Sequence, residues 1–113
     1  MLRKVVFHVD ELEKWGHTLS NVHNLLNYQR EHAELQLAIV VLVNGDAIMG
    51  YLQPNYREEI ATLKDQAIFH ACNNSLKSHG VKPDRLPPEV QVVPVGVLDL
   101  IELQDENYRY IKP

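Results

Sequence analysis

The sequence predicts an α/β domain with a mostly parallel sheet and helices on both faces. Short apolar runs typical of strands alternate along the chain with stretches whose apolar residues recur at helical spacing. The strand-type runs are nearly continuous in apolar residues, as expected for strands buried on both faces. The chain has 113 residues, 45% of them hydrophobic and 23% charged, which fits one compact core. We therefore expect a single domain over residues 1–113.

The first strand and helix are predicted from the opening residues. Val5–Val9 is a short, β-branched apolar run and predicts strand β1. Asp10 and Glu13 have the spacing of a capping box, which predicts a helix start at this point. The helix that follows should turn one apolar stripe inward, and that stripe consists of Leu12, Trp15, Leu19, Val22 and Leu26.

The most apolar run of the chain, Leu35–Val43, predicts an interior strand β2. Asn44-Gly45 ends this strand. The dipeptide is also typical of a hairpin turn, but Ala47–Leu52 does not alternate as a returning strand would. We therefore predict a short helical turn after Gly45.

A second helix, a third strand and a short third helix follow. Asn55 and Glu58 repeat the capping-box spacing, and the apolar residues of the helix that they would begin are Tyr56, Ile60 and Leu63. Ala67–Ala71 predicts β3. Cys72–His79 has room for two helical turns, and Gly80 stands where a left-handed residue commonly ends a helix.

The last third of the chain predicts two more strands and one helix. Val90–Val93 is a short fourth strand, and Tyr108–Ile111 is a final strand. Between them Val97–Leu103 predicts a helix whose inward residues are Val97, Leu100 and Ile101.

The net charge, the apolar runs and the single cysteine argue against some classes of partner and compartment. Eleven Lys and Arg against fifteen Asp and Glu give a net charge of −4, which disfavours direct binding of nucleic acid. The longest apolar run, Leu37–Val43, is much shorter than the roughly 20 residues of a membrane span, so we expect no membrane association. A single cysteine fits a reducing compartment, and we expect a soluble, cytoplasmic protein.

Ligands of parallel α/β sheets collect beyond the carboxyl ends of the strands. Three segments lie there in the predicted topology: His8–Glu11, Asn44–Asp46 and Cys72–Ser75. Gly45 would let backbone approach a ligand closely, between the carboxamide of Asn44 and a carboxylate. Neither a GxGxxG nor a GxxxxGK[ST] motif is present, which argues against dinucleotide and P-loop sites.

Cys72 is the strongest candidate for chemistry. It lies where β3 should end and a helix should begin, and unpaired N–H groups at a helix start stabilise a thiolate. The thiolate is the nucleophilic form of cysteine, and the same N–H groups would hold a persulfide anion. The alternative is a small buried apolar residue. Asn73 and Asn74 would add amide donors beside the sulfur, or would simply cap the helix.

Two histidines precede strand ends. His70 should lean to the same face as Cys72, and a strand order with β1 beside β3 would bring His8 near His70. Such imidazoles could bind a metal, act as a base toward the thiol, or form ordinary hydrogen bonds. No tight metal-ligand spacing is present, so we predict neither a metal nor another cofactor.

Several segments together resemble the DsrE/DsrF-like family, also called YchN-like, which is associated with intracellular sulfur handling. They are 4–11, 43–45, 69–76, 93–97 and 108–113. The resemblance implies a three-layer α/β/α sandwich with a five-stranded, mostly parallel sheet, and it allows the last strand to run antiparallel. It also implies assembly as a homotrimer or hexamer, and a role for Cys72 as persulfide acceptor and donor.

The leading functional hypothesis is a persulfide carrier that exchanges sulfur with donor and acceptor proteins through Cys72. The substrate-binding candidates are Asn73, Asn74, His8, Asp10, Asn44, Gly45 and His70. One alternative is a non-catalytic module whose oligomer forms a small-molecule or nucleotide pocket from Asp10, Asn44 and Cys72. Another is a regulatory subunit of a sulfur-relay complex.

Overall fold

The computed structural model describes the whole chain, Met1–Pro113, around a five-stranded sheet. All strand pairs are parallel, and the strands lie in the order β4-β3-β2-β1-β5. Their bounds are Leu2–Val9 (β1), Gln36–Val43 (β2), Ile68–Cys72 (β3), Gln91–Val93 (β4) and Arg109–Ile111 (β5). The α/β prediction is confirmed, and the five strands fall where the apolar runs placed them.

Four α-helices connect the strands: Trp15–Glu31 (α1), Pro54–Thr62 (α2), Asn73–Ser78 (α3) and Gly96–Asp105 (α4). Short 3-10 helices cover Leu12–Lys14, Gly45–Leu52 and Pro83–Arg85. The predicted helical turn after Gly45 is therefore confirmed. None of the helices combines the length and the apolar character that crossing a bilayer requires.

The strand order places α4 alone on one face of the sheet. Successive strands from β1 to β4 step in one direction, and right-handed crossovers then put α1, α2 and α3 on the same face. The connection from β4 to β5 returns past β1 in the opposite direction, so the same handedness places α4 on the other face. The two cores agree with this arrangement: a large one surrounds Trp15 and Phe69, and a small one joins Leu42 to Leu100.

The predicted antiparallel last strand is wrong. β5 pairs with β1 in parallel, with Val5 opposite Arg109 and Phe7 opposite Ile111. The chain crosses the sheet through α4 before it enters β5, and a crossover helix returns the chain in the same direction.

The predicted inward face of α4 is only partly correct. Leu100 is buried, and so is Leu103. Val97 is 60% exposed and Ile101 is 52% exposed, so these two residues lie on the outer side of the helix. Because α4 lies by itself on its face of the sheet, only one narrow stripe of the helix meets the core.

Neither predicted capping box forms. The first 3-10 helix has Glu11 as its N-cap residue, and the side chain of Asp10 instead binds Lys112. At α2 the N-cap residue is Gln53, and Pro54 occupies the first turn. Proline fits the first turn because it has no N–H to satisfy, so α2 begins before the predicted cap at Asn55.

The strand order also separates the two histidines that were expected to meet. β2 lies between β1 and β3, and Leu42 stands in register between His8 and His70. All three side chains project from the face that α4 covers, because register partners in a sheet share a face. The strand order with β1 beside β3, which would have brought His8 near His70, is therefore wrong.

Candidate functional site

The site lies where the connections after two neighbouring strands diverge. The chain leaves β3 toward the face of α1, and it leaves β4 toward the face of α4. Such a divergence between adjacent parallel strands opens a crevice at their carboxyl ends, where α/β proteins bind ligands. Cys72 ends β3, and Gly96 begins α4 just beyond β4. The two residues meet in this crevice.

The Cys72 sulfur is held between the amino ends of two helices. Cys72 is both the last residue of β3 and the N-cap residue of α3, and the residue is 5% exposed. Its Sγ accepts a hydrogen bond of 3.3 Å from the N–H of Gly96, in the first turn of α4. A side chain at Gly96 would begin 3.1 Å from Cys72 Cβ and 3.4 Å from Sγ. Glycine thus permits the close approach of α4 to the sulfur.

The environment of Cys72 favours the thiolate. Burial raises the pKa of the Cys72 thiol, but hydrogen-bonding groups around the sulfur outweigh burial and hold the pKa below its ordinary value. These groups are the N–H and hydroxyl of Ser75 and the N–H groups of Gly96 and Asn74. The capping geometry of α3 itself is imperfect, since Cys72 makes no side-chain capping bond. The hydrogen bond that the geometry shows to the sulfur therefore comes from α4, and the start of α3 places the polar groups of Ser75 and Asn74 around it.

Gly45 and Ser75 connect the end of β2 to this cluster. The N–H of Gly45 donates to Ser75 Oγ at 2.8 Å. Ser75 Oγ therefore accepts from the backbone while its own proton remains free to be donated. Gly45 has φ +57°, and a side chain there would begin 3.1 Å from the carbonyl oxygen of Asp10. Gly45 is needed for its backbone conformation, and its effect on the sulfur passes through Ser75.

His8 belongs to a chain of three hydrogen-bonded side chains. Its Nε2 lies 2.9 Å from Asn44 Oδ1, and its Nδ1 lies 2.6 Å from the hydroxyl of Tyr110. An amide oxygen only accepts, so Nε2 carries the proton and Nδ1 accepts from the tyrosine. The chain ends at Asn44, whose Cβ lies 3.5 Å from the point where a Gly96 side chain would begin.

His70 binds α4 rather than the sulfur. Its Nδ1 lies 2.7 Å from Asp99 Oδ2, and the two side chains are 12% and 13% exposed. Asp99 lies in the first turn of α4, so the pair fixes to β3 the helix that presents the Gly96 N–H. Neither His70 nor His8 forms a hydrogen bond with Cys72: His70 bonds to Asp99, and His8 bonds to Asn44 and Tyr110. The interpretation of either imidazole as a base contacting the thiol is wrong.

The remaining predicted binding residues lie farther from the sulfur. Asn74 contributes its backbone N–H to Cys72, but its side chain is exposed. Asn73 lines a shallow cavity on the outer side of α3, together with Leu76 and other residues. Asp10 binds Lys112 Nζ at 2.6 Å, and this hydrogen bond lowers the pKa of the Asp10 carboxyl. Asp10 therefore ties the end of β1 to the segment that follows β5.

The carboxyl edge of the sheet has no enclosed pocket and no cluster of metal ligands. None of the four cavities in the structure is lined by Asp10, Asn44 or Cys72. No three His, Cys, Asp or Glu side chains come together as metal ligands. In a single chain Cys72 is thus nearly buried, and Asp10 and Asn44 beside it are only half-buried.

Three contributors to the site were missed from the sequence: Gly96, Asp99 and Tyr110. Gly96 had a signal, because a glycine just before an apolar helical stretch indicates a close backbone approach. Asp99 lies in the helix after β4 and Tyr110 lies in β5, and their partners depend on the order of strands in the sheet. A pattern along the chain does not specify that order.

Comparison with known proteins agrees with this architecture. The family model described as "DsrE/DsrF-like family" matches residues 16–113. MTH1491 of Methanobacterium thermoautotrophicum, a protein of unknown function, is similar with a TM-score of 0.84 and 30% identity, covering 98% of this chain and 99% of that one. The ychN protein of E. coli shares the fold at a TM-score of 0.70 and 14% identity, with coverage of 98% and 99%. No curated protein matches.

The matched range contains Cys72, Ser75 and Gly96 and covers most of the chain. MTH1491 aligns with nearly the whole chain. The protein therefore belongs to the DsrE/DsrF-like family.

Proposed function

We propose that the protein is a persulfide carrier that acts through Cys72. The observation that carries the proposal is the lone thiol at the crevice between β3 and β4, whose pKa is lowered by hydrogen-bonding groups from two helices. Membership of a family related to sulfur-relay proteins supports the same chemistry. Stabilisation of a sulfur anion is useful to a residue that must alternate between thiolate and persulfide.

The carrier cycle needs one cysteine in this chain. Thiolate Cys72 attacks the outer sulfur of a donor persulfide R–S–SH, which forms an Sγ–S bond and releases the donor as a thiolate. In the second step an acceptor thiolate attacks the outer sulfur of the Cys72 persulfide. The Sγ–S bond breaks, the acceptor leaves as a persulfide, and Cys72 returns to the thiolate. No net oxidation or reduction occurs, and Cys72 is the only cysteine of the chain.

Sulfur uptake at Cys72 tests this proposal. We expect the wild-type protein, mixed with one equivalent of a low-molecular-weight persulfide, to gain one sulfur atom at Cys72 in preference to an equal concentration of free cysteine, and Cys72→Ser to gain none. Mass spectrometry of the intact protein and of its peptides measures both. Ser78→Ala is a matched control, because Ser78 lies on α3 without contacting the sulfur and this variant should take up sulfur normally. Failure of the wild-type protein to gain sulfur at Cys72 contradicts the proposal.

We also propose that the chain assembles with copies of itself, as a homotrimer or hexamer. The outer side of α4 and the residue before it expose four apolar side chains, Val95, Val97, Leu98 and Ile101. Apolar residues gathered on one helix are typical of surfaces that become buried on association. A second copy on this surface would lie next to Gly96, and therefore next to the sulfur. A donor or acceptor protein would then meet Cys72 within an assembly.

Sedimentation tests the assembly. We expect the wild-type protein to sediment as a trimer or hexamer at micromolar concentration, and Ile101→Asp to shift it to the monomer, because a carboxylate buried in an apolar contact is strongly unfavourable. Tyr28→Asp, at an exposed aromatic residue on α1, is the control and should keep the assembly. A monomeric wild-type protein contradicts the proposed assembly and leaves the proposed carrier function unaffected.

The compartment follows from the same chemistry. A carrier with one reactive thiol must keep that thiol free of disulfides, and the cytoplasm maintains reduced thiols. We therefore place the protein in the cytoplasm as part of the proposal, where its partners would be sulfur donor and acceptor proteins.

A further inference from the structure

We propose that the protein binds the phosphate group of a small phosphate monoester in a notch at the amino end of β1. The notch is a cavity of about 320 Å³, and its lining residues are Leu2, Arg3, Lys4, Asn107 and Arg109. β1 begins at this notch, whereas Cys72 lies at the carboxyl end of β3. The proposed site therefore lies at the opposite end of the parallel strands from the thiol and does not depend on the carrier function.

The notch exists because β5 is shorter than β1. The first residue of β1 that β5 pairs with is Val5. Successive residues of a parallel strand bond alternately to the neighbours on its two sides, and the carbonyl of Met1 accepts from Gln36, which begins β2. Leu2 and Lys4 therefore face the side of β5, where no strand lies beside them. Their two backbone N–H groups open into the notch without a backbone acceptor.

Cationic side chains surround these N–H groups from both faces of the sheet. Arg109 is the register partner of Val5, and Val5 belongs to the core under α1. Arg109 and Arg3 therefore project from the face that α1 covers, because register partners and alternate residues of a strand share a face. Lys4 projects from the other face. An anion in the notch would thus meet backbone donors in the plane of the sheet and a cation on either side.

The positive charge of the notch is not neutralised by the protein. No Asp or Glu lines the cavity, and none of the four salt bridges of the chain includes Arg3 or Arg109. This local excess of cations stands out in a chain with a net charge of −4.

The ammonium group of Lys4 is already held in place at the notch. Its Nζ donates to the carbonyl of Glu106 at 2.7 Å and lies 4.5 Å from the centroid of the Tyr108 ring. A carbonyl oxygen and an aromatic face leave the charge of the ammonium group intact, and two of its three protons remain free. Lys4 therefore needs little ordering to bind an anion.

A phosphate monoester fits these donors better than a carboxylate does. The planar guanidinium groups of Arg3 and Arg109 match the spacing of phosphate oxygens, and the donors of the notch outnumber the acceptor positions of one carboxylate. A phosphate monoester has a second pKa of about 6, so it is mainly a dianion at neutral pH. Leu2 also lines the notch and is 53% exposed, which provides an apolar contact for the organic group of an ester.

Heteronuclear NMR of the labelled wild-type protein tests the inference with phenyl phosphate as the probe. We expect the backbone N–H signals of Leu2 and Lys4 to shift and to saturate as phenyl phosphate is added at neutral pH and constant ionic strength. Benzoate has the same ring with a single negative charge, and it should bind about tenfold more weakly, in line with the loss of a hydrogen bond between charged groups. Inorganic phosphate, which lacks the ring, should bind about threefold more weakly than phenyl phosphate.

Charge-removing variants assign the binding to the notch. Arg3→Gln and Arg109→Gln should each weaken the binding of phenyl phosphate about tenfold. Both side chains are exposed, so neither change should disturb the fold. Arg85→Gln is the matched control, because it removes the same charge from the segment before β4, at the opposite edge of the sheet. This variant should bind phenyl phosphate within twofold of wild type.

Signals of Leu2 and Lys4 that do not shift overturn the inference, and so does equal weakening by Arg85→Gln, which would reduce the effect to net charge. Benzoate that binds as tightly as phenyl phosphate overturns the assignment to phosphate. Inorganic phosphate that binds as tightly overturns the assignment to a monoester. None of these measurements involves Cys72, so each outcome leaves the proposed carrier function unaffected.

Discussion

Replacing Gly50 by alanine is expected to lower the free energy of unfolding by about 3 kcal/mol or more, which is the upper range for overpacking a protein core. A side chain at Gly50 would begin 2.1 Å from Trp15 Nε1 and 2.5 Å from two further atoms of the indole. Trp15 is fully buried, and its indole N–H donates to the carbonyl of Ala47 at 2.7 Å. The ring also packs edge-on against Tyr51 and is stacked on Tyr56. It has no space to move without breaking these contacts.

Urea unfolding followed by circular dichroism measures this effect. Gly16→Ala is the matched control, because Gly16 lies in α1 and a side chain there meets no atom within 4 Å. Alanine in a helix is preferred over glycine by up to about 1 kcal/mol, so this variant should be slightly more stable than wild type. Equal stability of Gly50→Ala and wild type would mean that the indole ring and its surroundings repack freely.

The interior strands could be predicted from the sequence because burial on both faces leaves a continuous apolar run. Val5–Val9 and Leu35–Val43 carry that signal. The first run lies within β1, and the second lies within β2 except for Leu35, which precedes the strand. The predicted stripe is confirmed within α1, where Trp15, Leu19, Val22 and Leu26 are all buried, whereas Leu12 lies in the preceding 3-10 helix and is only half-buried. Such patterns depend only on which side of an element faces the core, which the sequence records directly.

The errors concern contacts between elements that are distant in the sequence. Asp10 had a partner at capping-box spacing, yet it binds Lys112, which only the pairing of β5 with β1 brings near. His8 and His70 were separated by a strand for the same reason. At α4, Val97 and Ile101 fit an inward stripe, but a helix that lies alone on a sheet face buries few residues. Local patterns carry no information about strand order.

The sequence could predict the part of the site that depends on one strand end and the helix after it. It could not predict the part that depends on two elements distant in the sequence. Cys72 was identified because a strand end followed by a helix start is a local pattern, and the structure has that arrangement. The N–H of Gly96 reaches the same sulfur from an element 24 residues farther along the chain. Its contribution depends on β4 lying beside β3, and on the His70–Asp99 contact that ties α4 to β3.

Replacing Ser75 by alanine is expected to slow the alkylation of Cys72 at pH 7 about tenfold, since a hydrogen bond to a charged group is worth about 1.5–3 kcal/mol. The hydroxyl of Ser75 is one of the groups that hold the pKa of Cys72 below its ordinary value. Removing it raises that pKa, so a smaller fraction of the sulfur is thiolate at neutral pH. The midpoint of the rate against pH should therefore move toward that of a free thiol.

The dependence of the alkylation rate on pH distinguishes a change in the pKa of Cys72 from a change in the access of the reagent to the sulfur. Only the thiolate reacts with iodoacetamide, so the plateau at high pH reports how easily the reagent reaches the sulfur, and the midpoint reports the pKa. Ser75→Ala should move the midpoint and leave the plateau nearly unchanged. Ser78→Ala removes a hydroxyl from the same helix, where it bonds to the carbonyl of Ser75, and should change neither quantity. A lower plateau with an unmoved midpoint would show that Ser75 controls access to Cys72, and the thiolate would then depend on the N–H groups alone.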